Sequence, residues 1–247
     1  MAEDTRRTRV LVDRASSHAP LVSLHAHNEA ERVRQVLAWL DAGETLTLVS
    51  DAGTPLVSDP GGRLVNAVAS AGHTVVPVPG PSAVLAALVA SGLPTDRFTF
   101  LGFPERKGRL RAELLDRVRT SADTVVLFES PHRLVKLLDE LSVACGADRR
   151  VAVARELTKL HEEVRRGTLE EVAGYYRGHP PRGEVTVVVA PDESGPDESR
   201  LRARAESLAR ELLDEGRKPS DVAREVSGRL ALPKNTVYAI VQQIAHD

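Results

Sequence analysis

The sequence predicts an α/β protein: two consecutive α/β domains, followed by a small helical domain of helix-turn-helix type. Three observations predict it. Short apolar runs of strand length alternate with segments of helical periodicity through most of the chain. The strands run into turns rich in Gly, Pro, Ser and Asp. Two changes of composition, at Pro94–Arg97 and at the acidic DESGPDES stretch Asp192–Ser199, divide the chain into residues 1–95, 96–192 and 197–247.

The first domain is organised around Leu46–Gly62, LTLVSDAGTPLVSDPGG. Leu46, Leu48 and Val49 suit a short buried strand. It breaks into two turn clusters, Asp51–Pro55 and Ser58–Gly62, where glycines permit positive φ or close approach to a ligand and prolines fix the path. Leu64, Val65, Val68 and Ala69 then recur at helical spacing. A loop at the carboxyl end of a strand that opens a helix is where open α/β sheets bind ligands. An ordinary βα connection fits the same residues. The phosphate fingerprints G-x-G-x-x-G and G-x-x-x-x-G-K-[ST] are absent here, so a nucleotide-like ligand would be held without them.

Upstream, Arg6, Arg7, Arg9 and Arg14 share a helix with Leu11 and Val12, either as a solvated face or as phosphate contacts. A second helix starts at Asn28, read as an N-cap, with Glu31 placed as in a capping box. It carries Val33, Val36, Leu37 and Leu40 and stops at Gly43. His25 and His27 are expected on opposite faces of an extended segment, which argues against a shared metal. Downstream, Thr74–Val78 reads as another strand, entering Pro79-Gly80-Pro81-Ser82. A helix of small residues, Ala83–Ala90, follows with Ser82 as its cap.

In the second domain Phe98, Phe100 and Phe103 mark a first strand. Arg106, Lys107, Arg109 and Arg111 form a basic loop, suited to phosphate or to a solvated helix start. Val125–Phe128 is a strand ending in Glu129-Ser130-Pro131-His132-Arg133, and Val151–Ala154 one ending in Arg155 to Glu163. Val185–Val189 is the last, entered through Arg182-Gly183-Glu184. Strands that end in mixed-sign clusters mark functional loops or structural ion pairs. Beyond the linker, Leu201, Ala205, Leu208, Ala209, Leu212 and Leu213 line a helix ending at Gly216. Two shorter helices follow, and Lys234, Asn235, Thr236 and Tyr238 fall near the start of a recognition-type helix.

Composition narrows the function classes. At 42% hydrophobic and 28% charged residues, the chain has the balance of a soluble globular protein. A net charge of −2 supplies no global attraction to nucleic acid, so any such contact is local. The single cysteine, Cys145, excludes an intrachain disulfide and fits a reducing cytoplasm. No apolar run approaches the roughly 18 residues of a membrane helix.

Taken in order, a set of motifs is specific. They are AEDTR (Ala2–Arg6), HNE (His27–Glu29), SDAGTP (Ser50–Pro55) with SDPG (Ser58–Gly61), PGPSA (Pro79–Ala83), SGLP (Ser91–Pro94) and GF (Gly102–Phe103). ESPHR (Glu129–Arg133), ARELTKLHEE (Ala154–Glu163) and GE (Gly183–Glu184) complete the set. With them, residues 2–192 strongly resemble the tetrapyrrole methylase family, in its branch acting on small-subunit ribosomal RNA. The resemblance implies two α/β domains with S-adenosylmethionine in the cleft between them. It also implies a homodimer acting on small-subunit rRNA or the 30S subunit, methylating the ribose 2′-hydroxyl of a cytidine in the decoding region. Family members carry roughly two dozen residues before AEDTR, a typical strand–loop–helix span, including a TPIGN-like loop. Here Met1 stands directly before Ala2: the start is misassigned, the sequence is shortened, or this version lacks a strand of the first sheet, which bears on the active-site wall.

The same resemblance implies site residues. The cofactor would lie against Ser50, Asp51, Ala52, Gly53, Pro55, Ser82 and Ala83, with Phe128 and Glu129 closing on it. Candidates for the chemistry are Glu129, His132, Arg155, Glu156, Lys159 and Glu162. A carboxylate or His132 would serve as base, and Arg155 or Lys159 would orient phosphate or stabilise negative charge. Arg6, Arg7, Arg106, Lys107 and Arg109 are candidate RNA phosphate contacts. Methyl transfer from a sulfonium requires no metal, and none is expected. Two other functions stay open: a cobalamin-precursor methyltransferase of the same fold, and a ligand-sensing regulator whose helix-turn-helix binds DNA. The basic loop and the helical appendage speak against the first. The near balance of acids and bases in the C-terminal segment speaks against the second.

Overall fold

A computed structural model describes residues 1–192, 198–230 and 232–246. The chain divides into two compact units, Met1–Pro191 and Asp192–Asp247. Residues 193–197 of the acidic linker lie outside the described residues.

The first unit is built on a five-stranded sheet of order β1-β2-β5-β3-β4. Its strands are β1 (Phe98–Phe100), β2 (Thr124–Glu129), β3 (Arg150–Arg155), β4 (Glu163–Thr168) and β5 (Val185–Val189). β1 runs parallel to β2, and every other pairing is antiparallel. β2 and β5 are near-continuous apolar runs because both their faces are covered. Val125, Leu127, Val151, Val153, Val187 and Val189 face a core closed by α5 (Arg109–Arg119), α6 (Leu134–Cys145) and α7 (Leu169–Gly178). Val126, Ala152, Ala154 and Val188 face α4 (Ala83–Ser91), which contributes Val84, Ala87 and Leu88. The alternation is that of a pleated strand. The register brings Glu129, Arg155, Glu163 and Val185 together at one end of the sheet.

The edge strand β4 was not expected from sequence. EVRRGT carries charges on both sides, as an exposed sheet edge requires, and therefore reads as loop. α7 starts with a full capping box, Thr168 bonding the Glu171 N–H and Glu171 returning to the Thr168 N–H.

The first ninety residues supply α1 (Thr5–Arg14), α2 (Glu29–Asp41), α3 (Gly62–Ser70) and α4. Leu24, Val36, Leu64 and Val68 form a small core between them. Met1 and Ala2 lie between residues 22–24 and 47–49. The Ala2 N–H donates to the Val22 carbonyl at 2.9 Å, and the Val49 N–H to that of Met1 at 3.0 Å. Two expected strands do not form. Residues 46–49 contribute only the isolated bridge from Val49 to Ala2, and residues 74–78 join no sheet. Val76 and Val78 are 74% and 87% exposed. β-branched composition favours a strand only where a neighbouring backbone pairs with it, and among the described residues this segment makes no ladder pairing.

Three local expectations are also corrected. Asn28 precedes α2, but its side chain turns back, accepting from the His25 N–H at 2.9 Å and donating to the Ser23 carbonyl. No capping box forms. His25 and His27 do not point apart, because residues 26–28 form a turn that leaves their rings 6.1 Å from each other. Ser82 precedes α4 but makes no side-chain cap bond.

In the second unit, α8 (Glu198–Asp214), α9 (Pro219–Leu230) and α10 (Lys234–His246) enclose Ala205, Ala209, Leu212, Val222, Val226, Val237, Ile240 and Val241. This is the three-helix arrangement the spacing predicts. Lys234 opens α10, and Tyr238 is half exposed on it. Among the described residues no helix is long and apolar enough to cross a membrane, and no cluster of three metal-ligating side chains occurs.

Burial separates the apolar side chains energetically. Leu127→Ala, in the centre of the larger core, is expected to cost about 2–5 kcal/mol in urea-induced unfolding. Val76→Ala, on the unpaired segment, is expected to stay within about 0.5 kcal/mol of the parent.

Candidate active-site cleft

The end of the sheet where Glu129, Arg155 and Val185 meet faces the Gly/Pro loops of the first ninety residues across a cleft of about 300 Å³. On one side stand Ala52, Gly53, Ser82 and Ala83; on the other Phe103, Phe128, Glu129 and the Gly183–Glu184 turn. Thr54 Oγ1 donates to the Pro81 carbonyl at 3.1 Å and ties the two Gly/Pro loops together. Phe128 packs edge-on against Phe100, ring centres 4.8 Å apart, and against Phe103 at 5.4 Å, so this wall is aromatic and apolar.

Glu129 ends β2 and is buried. Its Oε1 accepts the Ser130 N–H at 2.7 Å and pairs with Arg133. Its Oε2 is buried with no hydrogen-bond partner among the described residues. A carboxylate oxygen left bare in this way is costly unless a ligand completes it.

The RELTK turn after β3 is the second charged element. Glu156 Oε1 accepts the Glu184 N–H at 3.0 Å and the Lys159 ammonium at 2.8 Å. Lys159 also reaches Glu184 Oε2 at 3.2 Å. The hydrogen bond from Lys159, with that of the Glu184 N–H, holds the Glu156 carboxyl below the usual carboxylate range. The same contact holds Lys159 above its ordinary value, so both stay charged. Glu156 and Thr158 have φ of 50° and 67°; Leu56 and Ser58 in the SDAGTP–SDPG loop have 72° and 67°. Strained backbone of this kind collects at functional loops.

The cleft therefore unites Ala52, Gly53, Ser82, Ala83, Phe128 and Glu129 from the expected cofactor set. Asp51 instead binds the first helix, accepting the Asp4 N–H at 3.0 Å and lying 3.5 Å from Arg7. Ser50 donates to the carbonyls of Ala52 and Gly53, bracing the loop, and Pro55 lines a small hollow beside it. Of the expected catalytic group only Glu129 lines the cleft directly, with Lys159 attached to its rim through Glu184. His132 is exposed on a 3₁₀ turn. Arg155 pairs with Glu163 at 2.7 Å, and Glu162 accepts the Thr158 N–H at 2.6 Å. Among the basic residues, Arg6 is held by Asp4 at 2.8 Å, Arg7 by Asp51, and Arg109 lies 3.5 Å from Glu113. Arg106 and Lys107 are exposed and make no ion pair among the described residues. Sequence reasoning missed Phe103, Asp59, Gly183 and Glu184 as cleft residues. The GF, SDPG and GE motifs carried the signal.

The fold is that of known methyltransferases. The chain is similar to a cobalt precorrin-4 methyltransferase (TM-score 0.55, 20% identity, 76% of this chain and 82% of that one). It is also similar to the methyltransferase CobJ (TM-score 0.52, 19% identity, 70% and 77%). The chain belongs to the Tetrapyrrole (Corrin/Porphyrin) Methylases, whose family model matches residues 2–173, and is an S-adenosylmethionine-dependent methyltransferase. Relatives named ribosomal RNA small subunit methyltransferase I include one from Synechocystis, 41% identical over all of this chain and 88% of that protein. One from Mycobacterium tuberculosis is 44% identical over 92% of this chain and 78% of that protein. The cleft residues fit such a cofactor. Phe103 and Phe128 offer an apolar wall, and Ser82 a hydroxyl not used for capping.

Asp59 gives this cleft a pH signature. Burial, then Glu3 and Asp51, raise its carboxyl above the ordinary value. Its contribution to stability is thus present while it is protonated and is lost as pH rises through the raised pKa. Asp59→Asn is expected to raise the thermal midpoint near neutral pH, with the gain vanishing below about pH 4, where the parent is protonated too.

Proposed function

We propose that the chain transfers a methyl group to the ribose 2′-hydroxyl of a cytidine in the decoding region of small-subunit rRNA, as a cytoplasmic homodimer. The rRNA target is supported by relatives of that name that align over most of their length. In this reading the loops of residues 1–95 and those of the sheet in residues 96–192 close on one cleft.

The observation that carries the chemistry is the bare, buried Oε2 of Glu129. Bound against Ala52, Gly53, Ser82, Ala83 and Phe128, S-adenosylmethionine would supply an electrophilic methyl group. Glu129 Oε2 accepts the hydrogen bond of the ribose hydroxyl and then its proton, while Ser130 and Arg133 hold Oε1. Glu156 is a poor base, because its contacts with Lys159 and Glu184 favour its charged form. Glu162 is engaged by its own loop, and His132 lies outside the cleft. Lys159, kept cationic at the rim, stabilises negative charge on the substrate. Phe128, packed against Phe100 and Phe103, makes the wall beside them apolar. The fixed position of these groups lowers the barrier by restricting approach to one line.

The test is incorporation of labelled methyl groups into small ribosomal subunits, mapped by nuclease digestion and mass spectrometry. Glu129→Gln is expected to lower kcat about 100-fold or more with cofactor affinity retained. His132→Ala is expected to stay near the parent. Label in a corrin precursor but none in rRNA would overturn the reading.

The exposed basic loop gives a separate prediction. The double variant Arg106→Ala/Lys107→Ala is expected to weaken RNA binding and to flatten its salt dependence by about two phosphate contacts' worth. Filter binding over a salt series measures it.

A further inference from the structure

Between Gly102 and Gly108 the chain leaves β1 and turns into α5, and this segment carries both Phe103 of the cleft wall and the basic pair Arg106–Lys107. Both glycines have positive φ, +67° and +88°. Glu105, Arg106 and Lys107 are exposed. Among the described residues, no backbone–backbone hydrogen bond reaches residues 103–107. An exposed segment without such bonds opens readily unless side chains hold it. Here two arginines do.

Arg111 Nη1 donates to the Glu105 carbonyl at 2.7 Å, and Arg133 Nη1 to the Pro104 carbonyl at 3.5 Å. Each guanidinium is pinned in turn by a carboxylate. Arg111 Nε donates to Glu140 Oε2 on α6 at 2.7 Å, and its Nη2 pairs with the same oxygen. Arg133 pairs with Glu129 and donates from Nε to Ser130 Oγ at 3.1 Å. Arg111 reads from sequence as one of the basic loop residues, yet it is 5% exposed and takes no part in that surface. Burying a guanidinium in this way gains little net stability, because its removal from water offsets most of the attraction to its partner. What the Arg111–Glu140 pair supplies is geometry. The planar fork keeps some donors on the acid and aims another at the loop.

We propose that Arg111 and Arg133 are positioning residues that hold the Phe103–Lys107 segment as a preformed docking edge for RNA phosphates beside the cleft. The inference rests on the RNA reading above. A loose basic loop loses conformational freedom when it meets RNA. A loop already held in place does not, and so binds more tightly through the same contacts. Arg133 has a second effect. Its one guanidinium touches the loop through Pro104 and the end of β2 through Glu129 and Ser130, so the two keep a fixed separation. Phe103 packs against Phe128 at 5.4 Å and fastens the same loop to the same strand. The residues that grip phosphate and the strand end that lines the cleft thus form one unit.

The experiment compares the parent with two variants. Arg111→Leu/Glu140→Leu removes both charges together and leaves neither buried alone. Arg111→Lys puts a single ammonium in place of the fork. Limited trypsin digestion with mass spectrometry reads cleavage after Arg106 and Lys107. Both variants are expected to be cut there at least about tenfold faster than the parent, with affinity for S-adenosylmethionine and thermal midpoint near the parent's. On small ribosomal subunits each is expected to raise KM about tenfold and to leave kcat within about twofold. Equal cleavage of parent and variants overturns the latch, and so does a released loop with KM unchanged. Variants that no longer bind S-adenosylmethionine mark Arg111 as a residue of the fold alone and overturn it too. A protected parent and cleaved variants, none of which methylates small subunits, sink the RNA target and keep the latch. Methylation by a parent cut as fast as its variants does the reverse.

Discussion

Glu156 and Gly183 meet so closely that the site depends on their contact. A Cβ built on Gly183 would stand 2.0 Å from Glu156 Oε1, and Gly183 has φ of +82°. No other residue satisfies both constraints. Glycine lets the carboxylate of one turn reach the backbone N–H at the start of β5, although the two belong to segments nearly thirty residues apart. Because β3 and β5 are adjacent antiparallel strands, this contact closes the end of the sheet. It also fixes Lys159.

The division of labour among the carboxylates follows from their surroundings. Glu156 is saturated with donors, which hold it charged and make it a structural anion. Glu129 is saturated on one oxygen only, and burial denies the other any solvent. Glu163 repeats that half-satisfied pattern, with Oε2 accepting from Arg155 and Oε1 without a hydrogen-bond partner among the described residues. An acid with one bound and one bare oxygen is oriented yet unquenched, the condition for meeting a substrate. The positive φ angles of Leu56, Ser58, Glu156 and Thr158 lie in the two loops that bracket the cleft. Burial of β2, β3 and β5 supplies the rigidity that maintains such conformations.

The strands VVLF and VTVVV were legible in the sequence because apolar β-type runs have few other uses. β4 was not, since an edge strand hides its identity behind charge. Residues 74–78 failed in the opposite sense: their composition is that of a strand, but pairing depends on a neighbour and not on the segment itself. The loops were legible as loops, and Gly53, Ser82, Phe128 and Glu129 do line one cleft. Asp51 shows the limit. A carboxylate in a Gly/Pro turn looks like a ligand contact whether it faces the ligand or, as here, the start of α1.

Charge accounting argues where RNA can be gripped. In the C-terminal unit Glu225 holds both Arg217 and Arg229, Arg202 pairs with Glu206, and Arg224 lies 3.5 Å from Asp221. The hydrogen bond from Arg217 keeps Glu225 below the usual carboxylate range, so these pairs persist across ordinary pH. Arginines committed to their own carboxylates contribute little field beyond the Debye length. A DNA reader spends its cations on phosphates instead. In the first unit the same applies to Arg6, Arg7 and Arg109, each paired at home. Of the five basic residues expected to meet RNA, Arg106 and Lys107 make no ion pair among the described residues, and they lie on the loop that follows Phe103 of the cleft wall. For a chain of net charge −2 there is no global attraction to nucleic acid, so the proposed RNA contact would have to be local, through a short basic loop of this kind.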